Sequence, residues 1–170
     1  MRRLESTNEP KTRKLSNAGF SLIELLIVVA VILIIAALAI PNYLQAKMRA
    51  NEASAVNGLR SISTAEVDYV TTYGVDYSNG LLPLSGNGVN PTQSAAGLID
   101  QSLASGTKSG YVFTFNVLST DAQGNPATYS VNADPQTQNR TGQRHFYTDQ
   151  TCVIRGNTSV QAGPTDSPLS

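Results

Sequence analysis

Cysteine is almost absent from this chain. Cys152 is the only one in 170 residues, so no disulfide can close within it. His145 is the only histidine, and there is no tryptophan. One histidine and one cysteine cannot supply the His/Cys sets that hold zinc. A Ser/His/Asp relay would have to use His145, and the acid nearest to it, Asp149, falls on the same face of the same short strand, which is no catalytic arrangement. No glycine loop of the phosphate-binding kind occurs. With these routes closed, the chain reads as a non-enzyme. Charge is sparse too, at 14% of residues. Beyond the N-terminus there is no basic patch, which leaves nucleic-acid binding without support.

The charge that is present divides unevenly. Residues 1–19 carry five Lys/Arg (Arg2, Arg3, Lys11, Arg13, Lys14) against Glu5 and Glu9, and residues 20–170 carry seven against ten acids. The head is therefore +3 and the remainder −3. A basic head before an apolar run keeps an N-terminus on the cytoplasmic side. That run follows at once: residues 20–40, FSLIELLIVVAVILIIAALAI, include only Ser21 and Glu24 as polar side chains. As a helix rising about 1.5 Å per residue it spans roughly 30 Å, the thickness of a bilayer's hydrocarbon core. A soluble core helix is rarely apolar on every side for so long.

Pro41 would kink or end a helix, yet residues 42–73 are rich in Ala, Leu, Glu, Arg and Lys. Val56, Leu59, Ile62, Tyr69 and Tyr73 recur at three- and four-residue steps once Ala65 or Glu66 bridges them. The pattern predicts one helix over about residues 20–73, bent near Pro41, with a lipid-compatible part at 20–41 and an amphipathic part at 42–73 that can cover a sheet. Residues 74–110, with several glycines and two prolines, read as a connecting loop in which 94–105 is a short helix. YVFTFNVL (111–118), TYSVNA (128–133), RHFYTD (144–149) and TCVIR (151–155) read as short antiparallel strands within a sheet over 111–156. On TCVIR, Cys152 reads as a small half-buried residue, a reactive or intermolecular thiol being the alternative. The tail, 157–170, has no period and reads as disordered. Asn139-Arg-Thr141 and Asn157-Thr-Ser159 match the glycosylation triplet, a pattern common by chance.

Three explanations compete for the N-terminal third. A secretory signal cut after Ala39 fits the small residues of Ala37-Leu38-Ala39, but the apolar run is too long and keeps Glu24. A plain signal anchor carrying an extracytoplasmic binding module explains length and orientation and leaves Glu24 without a purpose. The third explanation comes from KLSNAGFSLIELL, residues 14–26, which resembles the N-terminus of the type IV pilin and type II secretion pseudopilin family. That family has a basic leader ending in glycine, then phenylalanine, then a carboxylate at the fifth residue past the cut, then a long apolar helix. The matching positions are Gly19, Phe20 and Glu24, and IPNY (40–43) resembles the family at its helix kink, which falls on Pro41.

The resemblance implies an α+β fold, a long N-terminal helix packed on a small antiparallel sheet. It implies that residues 1–19 are a prepilin leader, that a prepilin peptidase cuts between Gly19 and Phe20, and that Phe20 is then N-methylated. It implies that Glu24 pairs with the new amine of an adjacent subunit as helices leave lipid for a filament. The implied partners are further copies of the chain, the peptidase, an inner-membrane assembly platform, and minor pilins or pseudopilins. The implied location is the bacterial inner membrane, crossed once with the N-terminus cytoplasmic, and then a periplasmic pseudopilus or an extracellular pilus. No cofactor is implied, except that major pseudopilins hold calcium near the C-terminus. Asp134 and Asp149 are the weak candidates for it here, with turn formation as the alternative.

Overall fold

The computed structural model describes residues 19–86 and 90–169; the leader before Gly19 lies outside the described residues. Contacts divide the chain at Ile40/Pro41 into two units. One helix, α1 (Leu22–Tyr73), contributes to both. In the first unit, residues 22–40 are helical and their large apolar side chains are exposed, from Leu22 at 80% to Val29 at 47%.

In the second unit, α1 is amphipathic and buries one stripe: Glu52, Ala55, Leu59, Ile62, Glu66 and Tyr69. Burying an aliphatic side chain of this size contributes about 1.5–3 kcal/mol, so Leu59 and Ile62, both fully buried, are principal anchors. Gly74 ends the helix in a left-handed conformation (φ 63°), and its N–H donates to the Val70 carbonyl at 3.0 Å, satisfying one of the last open acceptors.

The stripe packs on a five-stranded antiparallel sheet whose strands follow chain order: β1 (Thr107–Lys108), β2 (Tyr111–Thr120), β3 (Pro126–Pro135), β4 (His145–Asp149) and β5 (Arg155–Asn157). The architecture is thus the expected α+β one. Alternation puts Tyr111 and Phe113 of β2, Tyr129, Val131 and Ala133 of β3, and Phe146 of β4 into the core. Phe115 stacks on Tyr129, ring centroids 5.3 Å apart. Gly58 makes the close approach possible. A Cβ there would lie 2.9 Å from the Phe113 ring, so the cost of glycine inside a helix, about 1 kcal/mol, is offset by seating an aromatic against the backbone.

Four expectations need correction. The connection after α1 is not one structureless loop: it contains α2 (Leu81–Leu84), α3 (Gln101–Ala104) and β1, and Leu81, Leu84, Ala96, Ile99 and Leu103 join the core. The helix expected over 94–105 shrinks to α3, because Asp100 caps it by accepting from the Leu103 N–H at 2.9 Å. Cys152 is not a strand residue. Asp149 closes a turn after β4, with Oδ1 accepting from the Thr151 N–H at 2.9 Å and its carbonyl accepting from the Cys152 N–H at 2.9 Å. Cys152 is exposed there at φ 59°, and pairing resumes only at Arg155.

Residues 158–169, expected to be disordered, are a strap held by polar contacts. Asp166 accepts from the Asn157 side chain at 2.9 Å and the Gly163 N–H at 2.8 Å, and its carbonyl accepts from Arg155 at 2.9 Å. The Leu169 N–H donates to the Ile154 carbonyl at 2.8 Å, and Pro168 bridges Arg155 along the edge of β5. Farther back, the Ala162 carbonyl accepts from Asn132 at 2.8 Å.

Candidate functional site

The residues singled out at the N-terminus lie together at the beginning of α1. Gly19 and Phe20 precede the helix, and the space where a Gly19 side chain would sit is open to 4 Å. Phe20 is 86% exposed. The Ser21 carbonyl accepts the first helical bond, from the Leu25 N–H at 3.2 Å. Glu24 falls in the first turn, exposed, where the unpaired N–H groups of a helix start favour a negative charge. That placement lowers the penalty of an acid at the head of an apolar run without giving it a partner. Among the described residues Glu24 takes part in no salt bridge.

Past Glu24 the helix is long and apolar enough to cross a membrane, and none of its most apolar 18-residue window is buried. Pro41 lies inside α1 and has no N–H to donate, which leaves the Ala37 carbonyl without its usual donor.

These observations coincide with what comparison with known proteins finds. A family model described as the prokaryotic N-terminal methylation motif matches residues 14–40. The type IV major pilin protein PilA of Myxococcus xanthus (strain DK1622) is 39% identical over 84 residues, covering 47% of this chain and 38% of that protein. Residues 14–40 thus carry the prokaryotic N-terminal methylation motif. The chain thus aligns with well under half the length of that relative. No solved structure matches the chain. The methylation motif covers Gly19, Phe20 and Glu24 and ends at Ile40, one residue before Pro41.

The remaining candidates lie on the sheet, away from any common centre. His145 does not pair with Asp149; its Nδ1 lies 2.6 Å from Asp134 Oδ1, across the β3–β4 ladder. The other oxygen of Asp134 accepts from Gln161 at 2.6 Å, which ties the strap to the sheet. Asp149 holds its turn through Thr151. The two calcium candidates are therefore at opposite ends of that ladder, and among the described residues no three His, Cys, Asp or Glu come together in a metal-sized group.

Two buried acids escaped the sequence reading as functional groups. Glu52 accepts from the N–H of Gln143 at 2.9 Å and from Arg144 Nε at 2.9 Å, and the neighbouring Asn51 donates to the Thr141 carbonyl at 2.7 Å. Glu66, with no exposed surface, accepts from the Ser78 N–H at 2.9 Å and from the Ser78 hydroxyl. Burial pushes the Glu66 carboxyl above its ordinary value, and the Ser78 hydrogen bonds oppose this. Fourteen residues separate Glu52 from Glu66, close to four turns, so both lie on the buried stripe. That spacing of acids among apolar positions was the available signal: each fastens a loop to the helix.

Proposed function

We propose that this chain is the precursor of a filament subunit, cut between Gly19 and Phe20 by a prepilin peptidase, N-methylated on Phe20 and polymerised. The observation that carries this reading is the helical run 22–40, apolar all round and exposed among the described residues, headed by an exposed acid with no salt bridge among them. Removal of the leader creates an ammonium on Phe20. In a filament core a neighbour's Glu24 is its natural counter-charge, because an isolated charge in a medium of low dielectric is costly. Two such charges about 4 Å apart attract by roughly 4 kcal/mol at an effective dielectric near 20, and desolvation offsets much of it. The pair therefore acts chiefly on register: a copy shifted by a turn leaves both charges unmatched.

The apolar surface supplies the association itself. Helices pass from lipid into contact with one another, and Ala30, Ala36, Ala37 and Ala39 allow close approach. Pro41 gives the helix a point of local bending or melting as subunits enter the lattice. Before assembly the segment spans the bacterial inner membrane with its N-terminus cytoplasmic, in keeping with the basic leader. The named relative is a major pilin of a type IV pilus, and this favours an extracellular pilus over a periplasmic pseudopilus. The subunit role is structural. An assembly platform and minor pilins would serve it, and it needs no cofactor.

N-terminal sequencing and mass measurement of the mature protein test the reading. The expected result is a chain beginning with N-methyl-Phe20. A start at Ile40, or a leader retained on the mature protein, overturns it. Electron microscopy of sheared surface material then separates pilus from pseudopilus.

A further inference from the structure

The Pro41–Ser170 unit carries two clefts of similar size and opposite charge. The first, about 480 Å³, opens beside the beginning of the amphipathic part of α1, where Arg49, Glu52 and Arg144 line it. Glu52 is matched by Arg144. Arg49 is exposed and has no ion-pair partner among the described residues, and Lys47 beside it is exposed as well, so the cleft is cationic. The second, about 470 Å³, lies at the other end of α1, between Val70, Gly74 and Asp76 on one side and Asp121 and Asn125 on the other. No basic residue lines it. Asp76 has no ion-pair partner among the described residues. The Asp121 carboxylate is held in place by the N–H groups of Gln123 at 2.8 Å and Asn125 at 2.7 Å.

From Arg49 to Tyr73 the helix rises roughly 36 Å at about 1.5 Å per residue, so the two clefts cannot meet within one molecule. Copies inserted in a membrane in the same orientation cannot bring two clefts at different heights together around a two-fold axis. They join head to tail, and such a contact repeats along an open filament. We propose that the Arg49 cleft of one copy docks on the Asp76–Asp121 cleft of a second copy, as a polar contact between stacked subunits. This rests on the polymerising reading above. It also adds to it: the Phe20–Glu24 pairing joins helices offset by only about four residues, roughly 6 Å, whereas this contact needs an offset of roughly 36 Å and so joins different neighbours. Exposed charges of this kind fix partner and register more than they add affinity.

Charge exchange in the full-length chain tests the contact. Sheared surface filaments are counted for the wild type, Arg49→Glu, Asp76→Arg and the double variant, with immunoblots of membranes confirming that each chain accumulates. Each single change is expected to lower filament yield about tenfold, and the double to recover to within about threefold of wild type. Single variants that assemble as well as wild type, or a double no better than the singles, overturn the contact and leave the polymerising reading in place. A wild type without filaments removes that reading, and the contact with it. If the exchanged chains do not accumulate, Arg49→Cys with Asp76→Cys in a Cys152→Ser background decides: a disulfide-linked ladder supports the contact, and single chains after oxidation overturn it.

Discussion

Glu24 and Glu66 are acids on the same helix in opposite circumstances. Glu66 is sealed in the domain and receives two hydrogen bonds from Ser78. Glu24 stands among bare apolar side chains, and no residue of its own chain meets its charge among the described salt bridges. The same contrast holds for the carbon around them. Leu59 and Ile62 are fully buried by the chain's own sheet, while Leu25 and Ile35 are 62% and 61% exposed. A folded unit buries one face of residues 41–73, whereas the large apolar side chains of residues 20–40 stay exposed among the described residues. One acid serves the fold, and the other has no salt bridge among the described residues.

Substitutions can break or sharpen that division. The largest effect is expected from Glu24→Ala: filament yield falls by at least about tenfold, while cleavage after Gly19 and the unfolding temperature of the domain stay as in wild type. Normal filaments from this variant would abolish the contrast. Glu66→Ala should do the reverse and cost about 2 kcal/mol in denaturant unfolding followed by circular dichroism in detergent, because the buried Ser78 N–H loses its acceptor. The gentler Glu66→Gln reports on protonation. Burial raises the folded-state pKa of Glu66 above its ordinary 4.5, so its contribution to stability is fullest below that value and declines as pH rises through the folded-state pKa. The glutamine variant should lack that decline, and equal pH slopes in the two proteins would show that Glu66 stays charged at no cost. Gly58→Ala should lose about 1–2 kcal/mol even though alanine is the better helix former, since the Phe113 ring must move. The smallest effect is expected at Asp166→Ala, about 1 kcal/mol, seen most readily as faster proteolysis within residues 158–169.

The N-terminal segment was legible because its signal is local. A run of side chains from Phe20 to Ile40 with one acid in the first turn needs no knowledge of the remainder of the fold. The helix–sheet arrangement was legible for a related reason, since the period changes from that of Leu59 and Ile62 to that of Tyr111, Phe113 and Phe115. Cys152 was misread because TCVIR has strand-forming composition, whereas the local outcome was decided by Asp149, whose carboxylate favours a turn over continued pairing. The strap was misread because its order comes from Asp166 reaching Asn157 and Arg155, and from Leu169 lying against the core, none of which leaves a periodic trace. Gly58 carries no sign of its purpose in the helical pattern; the Phe113 ring against it supplies the reason.

The strap has a consequence for crowding. An open strand at the margin of a sheet is an adhesive strip that recruits other chains indiscriminately. Here the β5 margin is occupied by Ser167, Pro168 and Leu169, and at the opposite margin β1 is two residues long. Copies of the domain at high density are thereby denied strand pairing along the β5 margin.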